Sequence, residues 1–172
     1  MHRLLVSPGT ILALSTGLLF TDALRAEDEK LSAEQKAQKA RSAEPKESDV
    51  DKTVSLEGLL SKKGPSDWSA AKAAVIEGRV VQVERESDDG DYHLTLSPAG
   101  GGTDTTKWVI TEVTPVWARK KPALSQASLE KLRGKTVRVT GWLFYEPEDP
   151  HRDPRGTRWE IHPVTDVAVV GN

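Results

Sequence analysis

The side chains best suited to grip a ligand in this sequence are its tryptophans. There are five Trp against two Tyr and two Phe. An exposed indole beside an arginine offers a π-face and a cation, which is what stacking a base or a sugar ring requires, at about 1–3 kcal/mol per stacked base. Trp108 and Trp142 are placed for that work. Arg138 shares the phase of Trp142 along an alternating stretch, and Arg155 and Arg158 follow in the next loop and strand. Indoles also seal barrel ends and pack under loops, so each ring has two uses open to it. Overall charge gives a cationic groove no help. Residues 70–172 hold six Lys and eight Arg against seven Asp and eight Glu, one negative charge net. Binding to phosphates rests on cations that displace counterions.

Histidines are the other chemical resource. His93, His151 and His162 stand with Asp149, Asp153 and Glu160 as potential metal donors. A metal site needs three or four donors converging within bond length. His93 and His162 fall on the second and fifth of five expected strands, with the third between them. The ~4.8 Å strand spacing then keeps them about 10 Å apart, too far to share an ion. The sequence therefore assigns no metal ligand, no cofactor and no catalytic residue. It carries no G-x-S-x-G, no H-E-x-x-H, no Walker loop and no G-x-G-x-x-G, and glycines 100–102 lack the strand-to-helix setting of a phosphate cradle. With no Cys, disulfide scaffolds, thiol nucleophiles, Cys zinc sites and a lipid-modified Cys are excluded.

The elements that must position these groups lie in residues 70–172. Residues 74–85 are rich in β-branched side chains and predict a long strand bent at Gly78. Asp89-Gly90 marks a tight hairpin turn. Residues 91–97 then alternate, with Tyr92, Leu94 and Leu96 on one face and His93, Thr95 and Ser97 on the other. A glycine-rich loop leads to a third strand at 107–113. Leu129 and Leu132 share a face of a short helix within 122–133, stopped by Gly134. Residues 136–145 alternate again. A three-proline loop spans 146–157, and residues 158–170 close the domain, with Pro163 arguing for an edge or a bulge.

The order strand, strand, strand, helix, strand, strand is that of an OB-fold, a five-stranded Greek-key barrel. The run Gly134-Lys135-Thr136-Val137-Arg138-Val139-Thr140-Gly141 resembles the helix-to-fourth-strand passage of bacterial OB-fold domains, and residues 74–83 resemble their first strand. The closing run from Gly156 to Thr165, GTRWEIHPVT, is similar to that of uncharacterised exported bacterial proteins. The resemblance covers roughly residues 70–170. It implies a ligand surface on the outer face of strands two and three, bordered by the loops at 98–106 and 146–157. It implies no reaction. Some exported nucleases of this fold set Arg, Asp and Glu around calcium, but no spacing here marks such a site.

The rest of the 172-residue chain is accessory. Residues 1–26 have the build of a secretory signal: His2 and Arg3, an apolar stretch over 4–20 broken by Pro8, Gly9 and Gly17, then small residues ending at Ala23 or Ala26. The alternative is a retained N-terminal anchor. Residues 27–69 read as a charged flexible linker. Its first part, 27–52, has no apolar stripe and is expected to be a solvated tether, while Leu56, Leu59 and Leu60 predict a short helix within 55–63 that plugs the barrel.

The expectation is thus an all-β OB barrel, exported to the periplasm or secreted, and a non-enzymatic binding module. Its ligand would be single-stranded nucleic acid, polysaccharide or another extended polymer, held by His93, Thr95, Trp108, Arg138, Trp142, Arg155 and Arg158. The alternative is a scaffold domain that grips an envelope protein, and a calcium-dependent nuclease or phosphoesterase stands third.

Overall fold

The computed structural model describes residues 31–61, 64–87, 89–146 and 156–171. Among the described residues, four short helices, α1 (Ala33–Lys39), α2 (Leu56–Ser61), α3 (Pro115–Lys120) and α4 (Gln126–Glu130), accompany five strands. The strands are β1 (Ala73–Arg85), β2 (Tyr92–Ser97), β3 (Val109–Val113), β4 (Thr136–Tyr145) and β5 (Trp159–Val169). They close a barrel in the order β1-β2-β3-β5-β4. Every pairing is antiparallel except β3 with β5, which meet in parallel at Thr111 and Ile161. A closed barrel of five strands, with its helical connection between β3 and β4, is an OB-fold.

Alternation decides what lies inside. Leu94 and Leu96 of β2, Val109 and Val113 of β3, Val137, Val139 and Leu143 of β4, and Trp159, Ile161 and Val164 of β5 form one buried cluster. Each such side chain contributes roughly 1.5–3 kcal/mol on leaving water. Leu56 and Leu59 of α2 join them, and α2 packs on β1 and β3. β1 serves two partners, pairing with β4 up to Arg79 and with β2 from Arg79 onward. Gly78 sits beside that handover. A Cβ there would stand 3.1 Å from both Leu56 Cδ2 and Leu96 Cβ, so the bend is also a close approach.

The link between β3 and β4 is helical, as the sequence predicts, but α4 shares it with α3 and a 3-10 turn at Pro122–Leu124. Thr114 caps α3 and Pro115 opens it, which suits a first helical turn. Trp117 of α3 is buried. Pro163 is not on an edge, because β5 is paired on both sides. It sits in a bulge, with the β4–β5 register slipping around Gly141. The His162–Pro163 peptide is cis.

Residues 31–52 correct the expectation of a solvated tether. α1 packs on β4 and β5, and Val50 makes a parallel bridge to Ala73. The missing apolar stripe does not prevent docking because main-chain carbonyls and long cationic side chains make the contacts. Residues 1–26, and the boundary of any leader, lie outside the described residues. No described helix is long and apolar enough to cross a membrane.

Candidate functional site

The outward phase of the central strands carries chemistry that the inward phase excludes. On β2 it presents His93 and Thr95, on β3 Ile110 and Glu112, on β4 Trp142 and Phe144, and on β5 Glu160 and His162. Most of these are nevertheless buried, including His93, Glu112, Glu160 and His162. Register brings His93 directly opposite Glu112.

Glu112 is the hub. One carboxylate oxygen, Oε1, lies 3.1 Å from His93 Nε2. The other, Oε2, accepts a short hydrogen bond from His162 Nδ1. The chain of groups continues at both ends. His93 Nδ1 is 3.7 Å from Glu86 Oε2, and His162 Nε2 is 3.7 Å from Asp91 Oδ2. Carboxylates and imidazoles thus alternate from Glu86 to Asp91 across β2, β3 and β5. Asp91 gets there because the hairpin turn folds it inward. Glu86 N donates to Asp91 O at 2.8 Å, Gly90 takes φ 80°, and Asp91 N donates to Asp89 Oδ1 at 2.9 Å.

Two of the buried acids are pushed in opposite directions. Burial drives the Asp91 carboxyl up to about 6, with Asp89 and Glu112 adding repulsion and His162 and Lys39 offsetting part of it. Burial also works against ionised Glu112. The charge of His162 and the hydrogen bonds from His162 and His93 outweigh it, holding Glu112 well below the usual carboxylate range. Lys39 of α1 reaches over this face, its Nζ 5.7 Å from the Phe144 ring centroid. Burial disfavours its charge, but Glu112, Glu146, Glu160 and Asp89 together keep the ammonium above its ordinary value.

Between α1 and the barrel lies a cavity of about 340 Å³ whose lining includes Lys36, Lys39, Arg41, Asp89, Asp91 and His162. Beyond it residues 41–44 cross the barrel wall. Trp117 Nε1 donates to Arg41 O at 3.1 Å, Lys120 Nζ to Ser42 O at 2.7 Å, and Trp142 Nε1 to Ala43 O at 3.1 Å. The Arg41 guanidinium sits 4.5 Å above the Trp142 ring, and Lys121 pairs with Glu44 at 2.9 Å. Three consecutive carbonyls are therefore read by three side-chain donors.

Of the seven residues singled out from sequence, the structure brings His93 into the buried cluster and Trp142 onto the segment at 41–44. Thr95 is on the same outer face but buried. Trp108 is half-buried and donates to Gly102 O at 3.0 Å, at the glycine-rich loop. Arg138 pairs with Glu77 across β1 and β4, Nε to Oε1 at 2.8 Å. Arg158 donates to Glu146 O at 3.0 Å and lies over the Tyr145 ring. Arg155 lies outside the described residues, with His151, Asp149, Asp153 and most of the 146–157 loop. Sequence reasoning missed Glu112, Asp91, Lys39 and Arg41. Glu112 was findable, since it shares the outward phase with Ile110 in a strand set between those of His93 and His162.

No family model and no curated protein matches the chain. Among solved structures it is similar to the asparaginyl-tRNA synthetase of Entamoeba histolytica, at 15% identity and a TM-score of 0.39, over 58% of this chain and 21% of that one. It spans about a fifth of the synthetase. It is also similar to a chain of the S. pombe Stn1-Ten1 complex, at 10% identity and a TM-score of 0.44, over 70% and 79% of the two chains. A third is OBody AM3L09 bound to hen egg-white lysozyme, at 15% identity and a TM-score of 0.44, over 70% and 95%.

Proposed function

We propose that this chain is an exported, non-enzymatic binding module whose barrel wall takes up an extended polymer, and that the polymer is a polypeptide carrying a basic side chain. One observation carries the reading. The chain's own residues 39–44 lie on the wall, with Lys39 over the acidic face and the carbonyls of Arg41, Ser42 and Ala43 taken by Trp117, Lys120 and Trp142. Donors that read carbonyls suit a peptide main chain. The carboxylates of Asp91, Glu112 and Glu160 on the same face repel phosphate and weigh against a nucleic acid there. Export rests on the build of residues 1–26.

The test compares two labelled probes by fluorescence anisotropy. One is a peptide with the sequence of residues 36–48, the other an oligothymidylate. The full chain and its Lys39→Ala/Arg41→Ala variant, which loosens the resident segment, are titrated at low ionic strength. The expected result is peptide binding that tightens in the variant and weakens when Trp142→Ala is added. Oligothymidylate binding lost on Trp142→Ala would move the reading back to nucleic acid. Export is checked by intact mass after secretion, with a mature N-terminus following Ala23 or Ala26.

A further inference from the structure

His162 is held in the way metal-binding histidines are held. Its Nδ1 donates a hydrogen bond to Glu112, an arrangement that fixes the ring and, in the neutral imidazole, leaves Nε2 as a free donor atom. Nε2 faces the Asp91 carboxylate across 3.7 Å. That gap exceeds hydrogen-bond length, and it is close to the about 3.4 Å separating two donors on one tetrahedral ion with bonds of about 2.1 Å. Asp91 is 4% exposed, and among the described residues its carboxylate accepts no hydrogen bond. An ionised carboxylate in so enclosed a place is costly unless a cation meets it. Both groups line the 340 Å³ cavity, with Asp89 on the same lining. Donor atoms of Asp91, Glu112 and His162 all lie within 4.8 Å of one another.

We infer that His162 Nε2 and the Asp91 carboxylate form the protein part of a binding site for a divalent transition ion of the Zn²⁺ type, with Glu112 as the positioning residue behind the imidazole. An imidazole donor favours such an ion over Mg²⁺ or Ca²⁺, which prefer all-oxygen sites. The remaining coordination positions open into the cavity, where water or a ligand's own donor completes the shell. Lys39 lines this cavity with Lys36 and Arg41, so the ion and these cations oppose each other electrostatically.

The experiment titrates ZnCl₂, MgCl₂ and CaCl₂ into the full chain by calorimetry, with histidine-selective ¹H–¹⁵N NMR on the same sample. One Zn²⁺ per chain is expected, with little response to Mg²⁺ or Ca²⁺, and a shift at His162 Nε2 while Nδ1 stays protonated. Asp91→Asn, nearly isosteric and safe for folding, is expected to abolish binding or weaken it by about tenfold or more, and Glu112→Gln to weaken it by about 10–100-fold. Lys39→Gln is expected to tighten it. Unchanged affinity in Asp91→Asn, a Zn²⁺ shift at other histidines alone, or no Zn²⁺ binding at all would overturn the inference. Because peptide binding is read separately by anisotropy, this result and that of the proposed function fail independently.

Discussion

Glu112 of β3 receives hydrogen bonds from His93 of β2 on one side and His162 of β5 on the other, and the His162 bond turns Nε2 of that ring toward Asp91. The strand order β2-β3-β5 makes this possible. It sets one carboxylate between two imidazoles that stand two strands apart.

Removing that carboxylate leaves two buried imidazoles without their shared acceptor. Glu112→Ala is expected to destabilise the fold by about 3–5 kcal/mol, the usual cost of breaking one side of a buried ionic group. Urea unfolding followed by tryptophan fluorescence measures it. A loss below about 1 kcal/mol, typical of an exposed pair, would remove Glu112 from its place at the centre of the site.

The pH dependence of stability carries the signature of Asp91. Its folded pKa of about 6 lies above the ordinary 3.8, so the folded state holds the proton more tightly than the unfolded one. Stability from this group falls as pH rises from about 4 to about 6 and stays at the lower level above. Glu112, held below its ordinary 4.5, acts in the opposite sense, adding stability that is present above about pH 4.5 and lost as pH falls below it. Denaturation midpoints measured with chelator present should show the decline between pH 4 and 6, and Asp91→Asn should flatten it. An unchanged slope in Asp91→Asn would assign the decline to another group.

Trp142 clasps the resident segment through one hydrogen bond and one cation–π contact. Trp142→Ala is expected to cost about 1–2 kcal/mol, the sum of a typical hydrogen bond and a partly exposed cation–π pair. The more telling readout is local. Trypsin should cleave after Arg41 several times faster in the variant, with no matching increase after Arg79 in β1.

Gly141 has no room for a methyl group. A Cβ there would meet Ile161, the carbonyl of Pro163 and the Cα of Val164, and two of these three contacts are backbone that cannot rotate away. Gly141→Ala is expected to cost about 3 kcal/mol through overpacking, measured as a drop in thermal midpoint. Gly100, whose Cβ would meet nothing within 4 Å, serves as the comparison. Its φ of 79° makes Gly100→Ala strained but not crowded.

The strands were legible because period-two alternation is local. His93 and Thr95 against Leu94 and Leu96, or Val137, Val139 and Leu143 in phase, follow from which face must leave water. Asp91 was hidden by its own turn, since a residue after Asp89-Gly90 reads as solvent-facing until the hairpin is folded onto β5. Lys39 and Arg41 were hidden for a different reason. A segment without an apolar stripe gives no periodic signal when what docks it is its carbonyls.

By itself, then, the chain's order of residues determined a barrel of five strands, its interior and the outward phase of His93, because each depends on neighbours two to four positions away. Only the closed tertiary structure decided that Glu112 stands between His93 and His162, that Asp91 faces His162, and that residues 39–44 cover the wall. Those contacts join positions far apart in the chain, up to 99 residues for Trp142 and Ala43, and no local preference encodes such a meeting.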